Sequence, residues 1–103
     1  MRSVLALTSY GNYKEALKAS KEIVKKKLGA CVNILKVNSV YEWKGKLENN
    51  PECMLLIKTE KSKAKELGEF IMKNHPFELP EFIVIPISTG SKLYLDWIQK
   101  NLE

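Results

Sequence analysis

The stretch CVNILKVNSVYEWKGKLENNPECMLLIKT, residues 31–59, carries the strongest structural signal in the chain. Apolar and polar side chains alternate in the second half of Cys31–Trp43, which predicts a long strand. Gly45 and the sequence Asn49-Asn50-Pro51 are turn signals, and the apolar segment Cys53–Thr59 predicts the returning strand. Because these strands exceed the usual 5–6 residues, they predict a projecting hairpin with unpaired edges that another subunit completes.

A strand and a helix are predicted upstream of the hairpin. Ser3–Ser9 is short and apolar, as is typical of a strand buried on both faces. Asn12 stands three residues before Glu15, an asparagine form of the capping box that marks a helix start. Apolar residues then recur at helical spacing as far as Leu28, and Gly29 is the predicted C-terminal cap.

Two helices and one strand are predicted downstream of the hairpin. The helix Thr59–Asn74 ends before Pro76, since proline disfavours helical geometry in the preceding residue. Phe82–Ser88 is the predicted fourth strand, and Pro86 within it favours an edge position. Ser91 is placed to cap the last helix.

The resulting order of elements is strand, helix, strand, strand, helix, strand, helix. This order predicts an α+β protein with a ferredoxin-like βαββαβ unit, an appended C-terminal helix and a long central hairpin. The chain has 103 residues and no internal repeat or linker, so residues 1–103 form a single predicted domain.

The net charge is +5, and the excess of basic residues lies in the first third of the chain. Four lysines form one stripe on the first predicted helix: Lys14, Lys18, Lys21 and Lys25. The ordinary interpretation is a solvated helix face, and a single arginine in the chain argues against base readout in nucleic acid. No apolar run approaches a membrane span and no secretory signal is present, so a cytoplasmic protein is expected.

Two cysteines, Cys31 and Cys53, are too few for a disulfide framework and lack metal-binding spacing. If the hairpin reverses near Gly45, Cys31 faces about residue 59 and Cys53 about residue 37. We therefore expect two free thiols and no intrachain disulfide.

The usual catalytic motifs are missing from the sequence. It contains no phosphate-binding loop, no Gly-x-Ser-x-Gly elbow and no His-Glu-x-x-His pair. A nucleophilic pair of Cys31 with His75 lacks any feature that would bring the two together. The chain is therefore not expected to be an enzyme.

The segment His75-Pro76-Phe77-Glu78-Leu79-Pro80-Glu81 combines the only histidine with two carboxylates. Imidazole nitrogen and carboxylate oxygen together suit Cu(II) or another divalent cation, so His75, Glu81 and Glu78 are the candidate metal ligands. The alternative is that His75 caps the preceding helix and that the carboxylates cap strands or pair with lysines. No organic cofactor is predicted.

A second group of candidates lies on the predicted strands and the last helix. Asn33 and Lys58 are polar residues on strands, and Tyr94 and Trp97 are aromatic residues at helical spacing. They could line a cleft for a small anion. Alternatively, Asn33 and Lys58 satisfy buried backbone groups, and the aromatic residues belong to the core or a subunit interface.

Several strings in the chain resemble the CutA-type divalent-cation tolerance family. They are Ala30-Cys31-Val32-Asn33-Ile34, Ser39-x-Tyr41-x-Trp43-x-Gly45-Lys46, Ile57-Lys58-Thr59, His75-Pro76-Phe77-Glu78-x-Pro80-Glu81, Pro86-Ile87, Gly90 and Tyr94-Leu95-x-Trp97. Three positions depart from the pattern of some members, which have a cysteine at Leu7, a histidine at Asn74 and a tyrosine at Phe77.

The resemblance implies a ferredoxin-like subunit in a tight homotrimer, with hairpins that pair across subunits, and a link to tolerance of copper and other divalent cations. The reading it supports is a cytoplasmic homotrimer that binds divalent metal weakly through His75, with Glu81 or Glu78, and acts in metal homeostasis. The alternative is a signalling trimer similar to the PII proteins, which would bind a small anion or a nucleotide in clefts between subunits. Neither reading includes a nucleic acid or a membrane as partner.

Overall fold

The structure, a computed structural model, describes residues 2–103 and contains one four-stranded sheet and three helices. The elements are β1 (Ser3–Tyr10), α1 (Tyr13–Lys25), β2 (Cys31–Trp43), β3 (Lys46–Glu60), α2 (Lys61–Asn74), β4 (Ile83–Pro86) and α3 (Lys92–Asn101). The strand order is β2-β3-β1-β4 and every pairing is antiparallel. The predicted α+β fold with a ferredoxin-like arrangement is confirmed. No helix within residues 2–103 has the length and apolar character needed to cross a membrane.

One face of β1 and of the second half of β3 builds the core. Ala6 on β1 and Leu55 and Ile57 on β3 are fully buried, and they pack with Ile23 of α1 and Leu67 of α2. Full burial of an aliphatic side chain of this size contributes about 1.5–3 kcal/mol. Helices α1 and α2 therefore cover one face of the sheet.

Helix α1 begins as the sequence predicts. The Asn12 side chain accepts a hydrogen bond from the Glu15 backbone N–H at 2.9 Å, and its amide donates to Glu15 Oε1 at 3.3 Å. The predicted C-terminal cap, in contrast, is wrong. The helix ends at Lys25, and the chain reverses at Lys27, which has a φ of 62°.

Gly29 allows the neighbouring side chains of α1 and β3 to pack closely. A Cβ at this position would lie 2.7 Å from Ile57 Cγ2 and 2.9 Å from Ile23 Cγ2. Only a glycine lets α1 and β3 approach this closely, so the residue that resembles a cap is required by the core.

The hairpin turn is at Lys44-Gly45, where φ is 52° and 81°. Positive φ at both positions is the type I′ geometry that suits a two-residue hairpin. The prediction of a further break at Asn49-Asn50-Pro51 is wrong, because β3 runs unbroken through these residues and Pro51 pairs with Asn38. The strand tolerates Pro51 because β1 pairs with β3 only from Cys53 onward, so at residue 51 that edge is open.

The remaining boundaries differ by a few residues from prediction. Thr59 belongs to β3, where its hydroxyl donates to Leu28 O at 2.8 Å, so α2 begins only at Lys61. Strand β4 is shorter than predicted but lies at the sheet edge, as Pro86 indicated. Ser91 caps α3 by accepting from the Tyr94 N–H at 3.3 Å.

The second face of the sheet is largely uncovered. Its residues alternate with the core residues of each strand. Among its apolar residues are Leu5, Leu7, Leu35, Val37, Met54, Leu56, Ile83 and Ile85, and we call these the open sheet face. Leu35, Ile83 and Ile85 are exposed. Helix α3 packs at one end of this face, through Leu95, Ile98 and Leu102. The hairpin extends beyond it, and the molecule measures 44 × 25 × 21 Å.

Candidate functional site

His75 follows α2 directly, and both of its ring nitrogens are hydrogen-bonded to the backbone. Nε2 donates to Ser9 O at 2.7 Å, and Nδ1 accepts from the Phe77 N–H at 3.1 Å. This pattern defines the tautomer as the neutral Nε2–H form. Neither nitrogen has a lone pair left for a metal ion.

Two aromatic rings pack against the imidazole ring of His75. The Tyr10 ring is stacked on it with centroids 4.3 Å apart and a 14° angle, and the Phe77 ring lies at 4.6 Å. Burial raises the pKa of the Tyr10 hydroxyl to about 12, and the nearby carboxylates of Glu15 and Glu22 add to this shift. His75 therefore joins the end of α2 to the end of β1, a structural contact that differs from the helix cap of the alternative.

The structure does not bring the three predicted metal ligands together. Glu78 Oε2 lies 3.3 Å from Lys44 Nζ, and Glu78 and Glu81 line a different cavity from the one that His75 lines. Within residues 2–103, no three His, Cys, Asp or Glu side chains are grouped so that they could hold a metal ion. The metal assignment to His75, Glu81 and Glu78 stays a prediction, and one subunit of this structure does not supply the complete ligand set.

The cavity beside Glu78 lies between the hairpin and the loop that follows α2, and we call it the hairpin cavity. Its volume is about 580 Å³, and it is lined by Ser9, Ser39, Val40, Tyr41, Trp43, Glu52, Phe77, Glu78, Leu79 and Glu81. Inside it, the Ser39 hydroxyl donates to Glu52 Oε1 at 2.6 Å. The sequence reasoning missed Glu52 as a site residue, because only the strand pairing places it opposite the loop that contains Glu78 and Glu81.

The second group of predicted residues does meet. Lys58 Nζ donates to Asn33 Oδ1, and it lies 3.9 Å from Cys31 Sγ. Burial raises the pKa of the Tyr94 hydroxyl, and the adjacent Cys31 thiol contributes to the shift. Trp97 stacks on Tyr94 with ring centroids 5.6 Å apart. We call Cys31, Asn33, Lys58, Tyr94 and Trp97 the Lys58 cluster; its role as a ligand cleft stays a prediction.

Both cysteines are free thiols. Cys31 faces Lys58 and Cys53 faces Lys36, each one residue from the predicted register. The two thiols therefore lie at well-separated positions along the hairpin.

Comparison with known proteins gives a consistent family. The family model described as "CutA1 divalent ion tolerance protein" matches residues 4–101. A mouse protein named "Protein CutA" is 38% identical over 95% of this chain and 56% of its own length, so the chain spans about half the length of that relative. The divalent-cation tolerance protein CutA of Thermus thermophilus is 37% identical over 80% of this chain and 81% of its own length.

A solved structure agrees with this result. The structure titled as the periplasmic divalent cation tolerance protein CutA of Archaeoglobus fulgidus superposes with a TM-score of 0.95. It is 33% identical to this chain and covers 98% of it, and the match covers 99% of that structure. The similarity thus includes the long hairpin and the appended helix as well as the ferredoxin-like unit.

Proposed function

Because the chain belongs to the CutA1 divalent ion tolerance family, we propose that it acts as a homotrimer in divalent-cation homeostasis and that it is not an enzyme. The observation that carries the proposal is the open sheet face. Leu35, Ile83 and Ile85 form exposed apolar surface there, next to a hairpin whose outer edge is unpaired. Contiguous apolar surface and open strand edges are features that subunit contacts cover.

Light scattering with a matched pair of variants tests the assembly. The wild-type chain should have a mass of about 35 kDa, three times 11.8 kDa. Ile85 on the open sheet face and Val24 on the outer side of α1 are both 41% exposed and β-branched. We expect Ile85→Glu to give a monomer and Val24→Glu to stay trimeric. A monomeric wild-type protein, or the same measured mass for the two variants, would contradict the proposal.

The metal-binding part of the function requires ligands from more than one subunit. The described residues of one chain contain no grouped set of ligands, and the His75 nitrogens are occupied. We propose that a divalent ion, Cu(II) included, binds weakly and that its ligands come from carboxylates such as exposed Glu78 and half-buried Glu81.

A Cu(II) titration followed by EPR tests this arrangement, using His75→Ala beside Glu81→Gln. We expect a weak, mostly oxygen-coordinated signal that His75→Ala leaves in place and Glu81→Gln reduces. A nitrogen-coordinated signal near one copper per chain that disappears in His75→Ala would contradict this arrangement and restore His75 as a ligand.

A second candidate function is the binding of a small anion or nucleotide, as in PII-like signalling trimers. The Lys58 cluster favours it, because Lys58 is half-buried and forms no ion pair within residues 2–103. A thermal-shift screen with phosphate and nucleotides should then show stabilisation that Lys58→Gln abolishes and Lys36→Gln, on the same hairpin, preserves. Unchanged melting temperatures in the whole screen would reject this candidate.

We propose that the protein acts in the cytoplasm. Its two free thiols support a reducing compartment. Fractionation of the source cells with an antibody against the chain would test this; recovery with a membrane-enclosed or exported fraction would contradict it.

A further inference from the structure

The hairpin cavity combines carboxylates with aromatic surface. Glu52, Glu78 and Glu81 line it together with Tyr41 and Trp43. None of the lining residues within the described chain is a lysine or an arginine, although the chain as a whole has a net charge of +5. The cavity is therefore a local negative site in a basic protein.

A lysine of the chain itself shows which chemistry this surface attracts. Lys44 Nζ lies 3.3 Å from Glu78 Oε2 and 5.6 Å from the centroid of the Trp43 ring. A primary ammonium group at the rim is thus held by one carboxylate and one aromatic face. This is the combination with which proteins recognise organic cations.

The deeper part of the cavity contains polar groups that Lys44 does not reach. Glu52 and Glu81 are half-buried, and neither forms an ion pair within residues 2–103. Ser9 is only 4% exposed and lines the cavity, and its backbone carbonyl accepts the hydrogen bond from His75 Nε2.

An inorganic cation fits this arrangement poorly. A metal ion requires several ligand atoms within about 2.0–2.6 Å of one point, and the carboxylates are not grouped closely enough for that. A cavity of about 580 Å³ is large enough for a small organic molecule. An alkyl chain can lie against Tyr41, Val40 and Leu79, while an ammonium group meets a carboxylate.

From these contacts we infer that the hairpin cavity binds a small organic cation, an alkylammonium or diammonium compound. Glu52 and Glu81 bind its ammonium group, and Tyr41 and Trp43 provide the aromatic walls. Every group that the inference uses belongs to one chain.

Calorimetric titration with 1,5-diaminopentane tests the inference. We expect saturable binding of one diamine per chain, and no saturable heat with 1,5-pentanediol, which has the same length and no charge. Glu52→Gln keeps an acceptor for the Ser39 hydroxyl and removes only the charge, so we expect it to weaken binding at least tenfold. Glu81→Gln should also weaken diamine binding. Glu69→Gln, on the exposed side of α2, should bind like the wild type.

Four results would overturn the inference, and the first three concern the diamine titration. They are the absence of saturable diamine binding at low salt, equal binding of the diol, and full affinity in both Glu52→Gln and Glu81→Gln. Saturable binding of Mn²⁺ with no binding of the diamine would also overturn it, in favour of an inorganic cation. Light scattering on the same samples reports assembly independently, so failure of this inference is distinguishable from failure of the proposed trimer.

Discussion

An imidazole ring that looks like a metal ligand in the sequence is bonded on both sides in the structure. His75 Nε2 donates to the backbone carbonyl of Ser9, 66 positions earlier in the chain, and the Phe77 N–H donates to the second ring nitrogen, Nδ1. Histidine, proline and glutamate in one short loop are compatible with either role. Which one applies depends on a backbone carbonyl of β1 that no local pattern reveals.

Replacing His75 should therefore destabilise the fold. His75→Ala removes the bond to Ser9 and the stacking on Tyr10, and we expect a loss of about 1–3 kcal/mol in the free energy of unfolding. Urea unfolding measures it. Asn74→Ala is the control, since the side chain of Asn74 is exposed and, within residues 2–103, bonds only to Phe70 O in the preceding turn. Equal stability of the two variants would show that the His75 contacts contribute little.

Tyr10 gives the fold a dependence on alkaline pH. Its pKa is about 12 in the folded chain against 10.0 ordinarily. The unfolded state releases this proton first, so the stabilisation is complete below pH 10 and is lost between pH 10 and 12. The maximum loss is about 2–3 kcal/mol.

Unfolding measured across this pH range should be less pH-dependent in Tyr10→Phe than in the wild type. Tyr13→Phe, at an exposed position on α1, should follow the wild type. If the free energy of unfolding fell equally with pH in Tyr10→Phe and in the wild type, Tyr10 would not be the source of the alkaline loss of stability.

The sequence predicts a helix start or a turn correctly where the local pattern has a single structural explanation. The Asn12–Glu15 capping box and the Lys44-Gly45 turn were predictable because backbone geometry alone requires them. The predicted helix cap at Gly29 and the predicted break at Pro51 were wrong, because tertiary contacts decide the role of these two residues. Gly29 makes room for Ile57 of β3, and Pro51 lies where β3 has no neighbour on one side.

A methyl group at Gly29 should be poorly tolerated. Gly29→Ala places a Cβ 2.7 Å from Ile57 Cγ2, and we expect a loss of about 1–3 kcal/mol from overpacking. Gly90→Ala is the matched control, because its new Cβ would come no closer than 3.4 Å to Leu95. Thermal unfolding of both variants gives the comparison; a neutral Gly29→Ala would mean that α1 shifts freely against β3.

At the scale of the whole molecule, the sequence predicted the fold better than the candidate sites. The alternation on the strands and the caps of the helices suffice for the ferredoxin-like order. The hairpin cavity was not predictable, because it brings together the end of β2, Glu52 of β3 and the loop after α2. The Lys58 cluster was partly predictable, since polar residues inside apolar strands mark positions that need a partner.

If the open sheet face is a subunit contact, stability should depend on protein concentration. We expect the melting temperature of the wild type to rise by several degrees over a hundredfold increase in concentration, because association stabilises the folded state by mass action. Ile85→Glu should remove this dependence, whereas Val24→Glu should keep it. A wild-type melting temperature that is independent of concentration would contradict assembly through this face.

Pro51 has a further consequence for the exposed edge of the hairpin. Odd-numbered backbone groups of β3 point toward β1 where the two strands pair, as Lys61 N donating to Arg2 O shows, so the Pro51 nitrogen faces the open side beyond Cys53. Proline has no N–H, so of the odd-numbered positions on this open edge, Leu47, Asn49 and Pro51, the one next to the paired segment offers no donor. A continuous row of free donors is the template on which misfolded chains stack into aggregates, and proline on an edge blunts that template. Pro51 thus protects a long exposed strand against indiscriminate self-association.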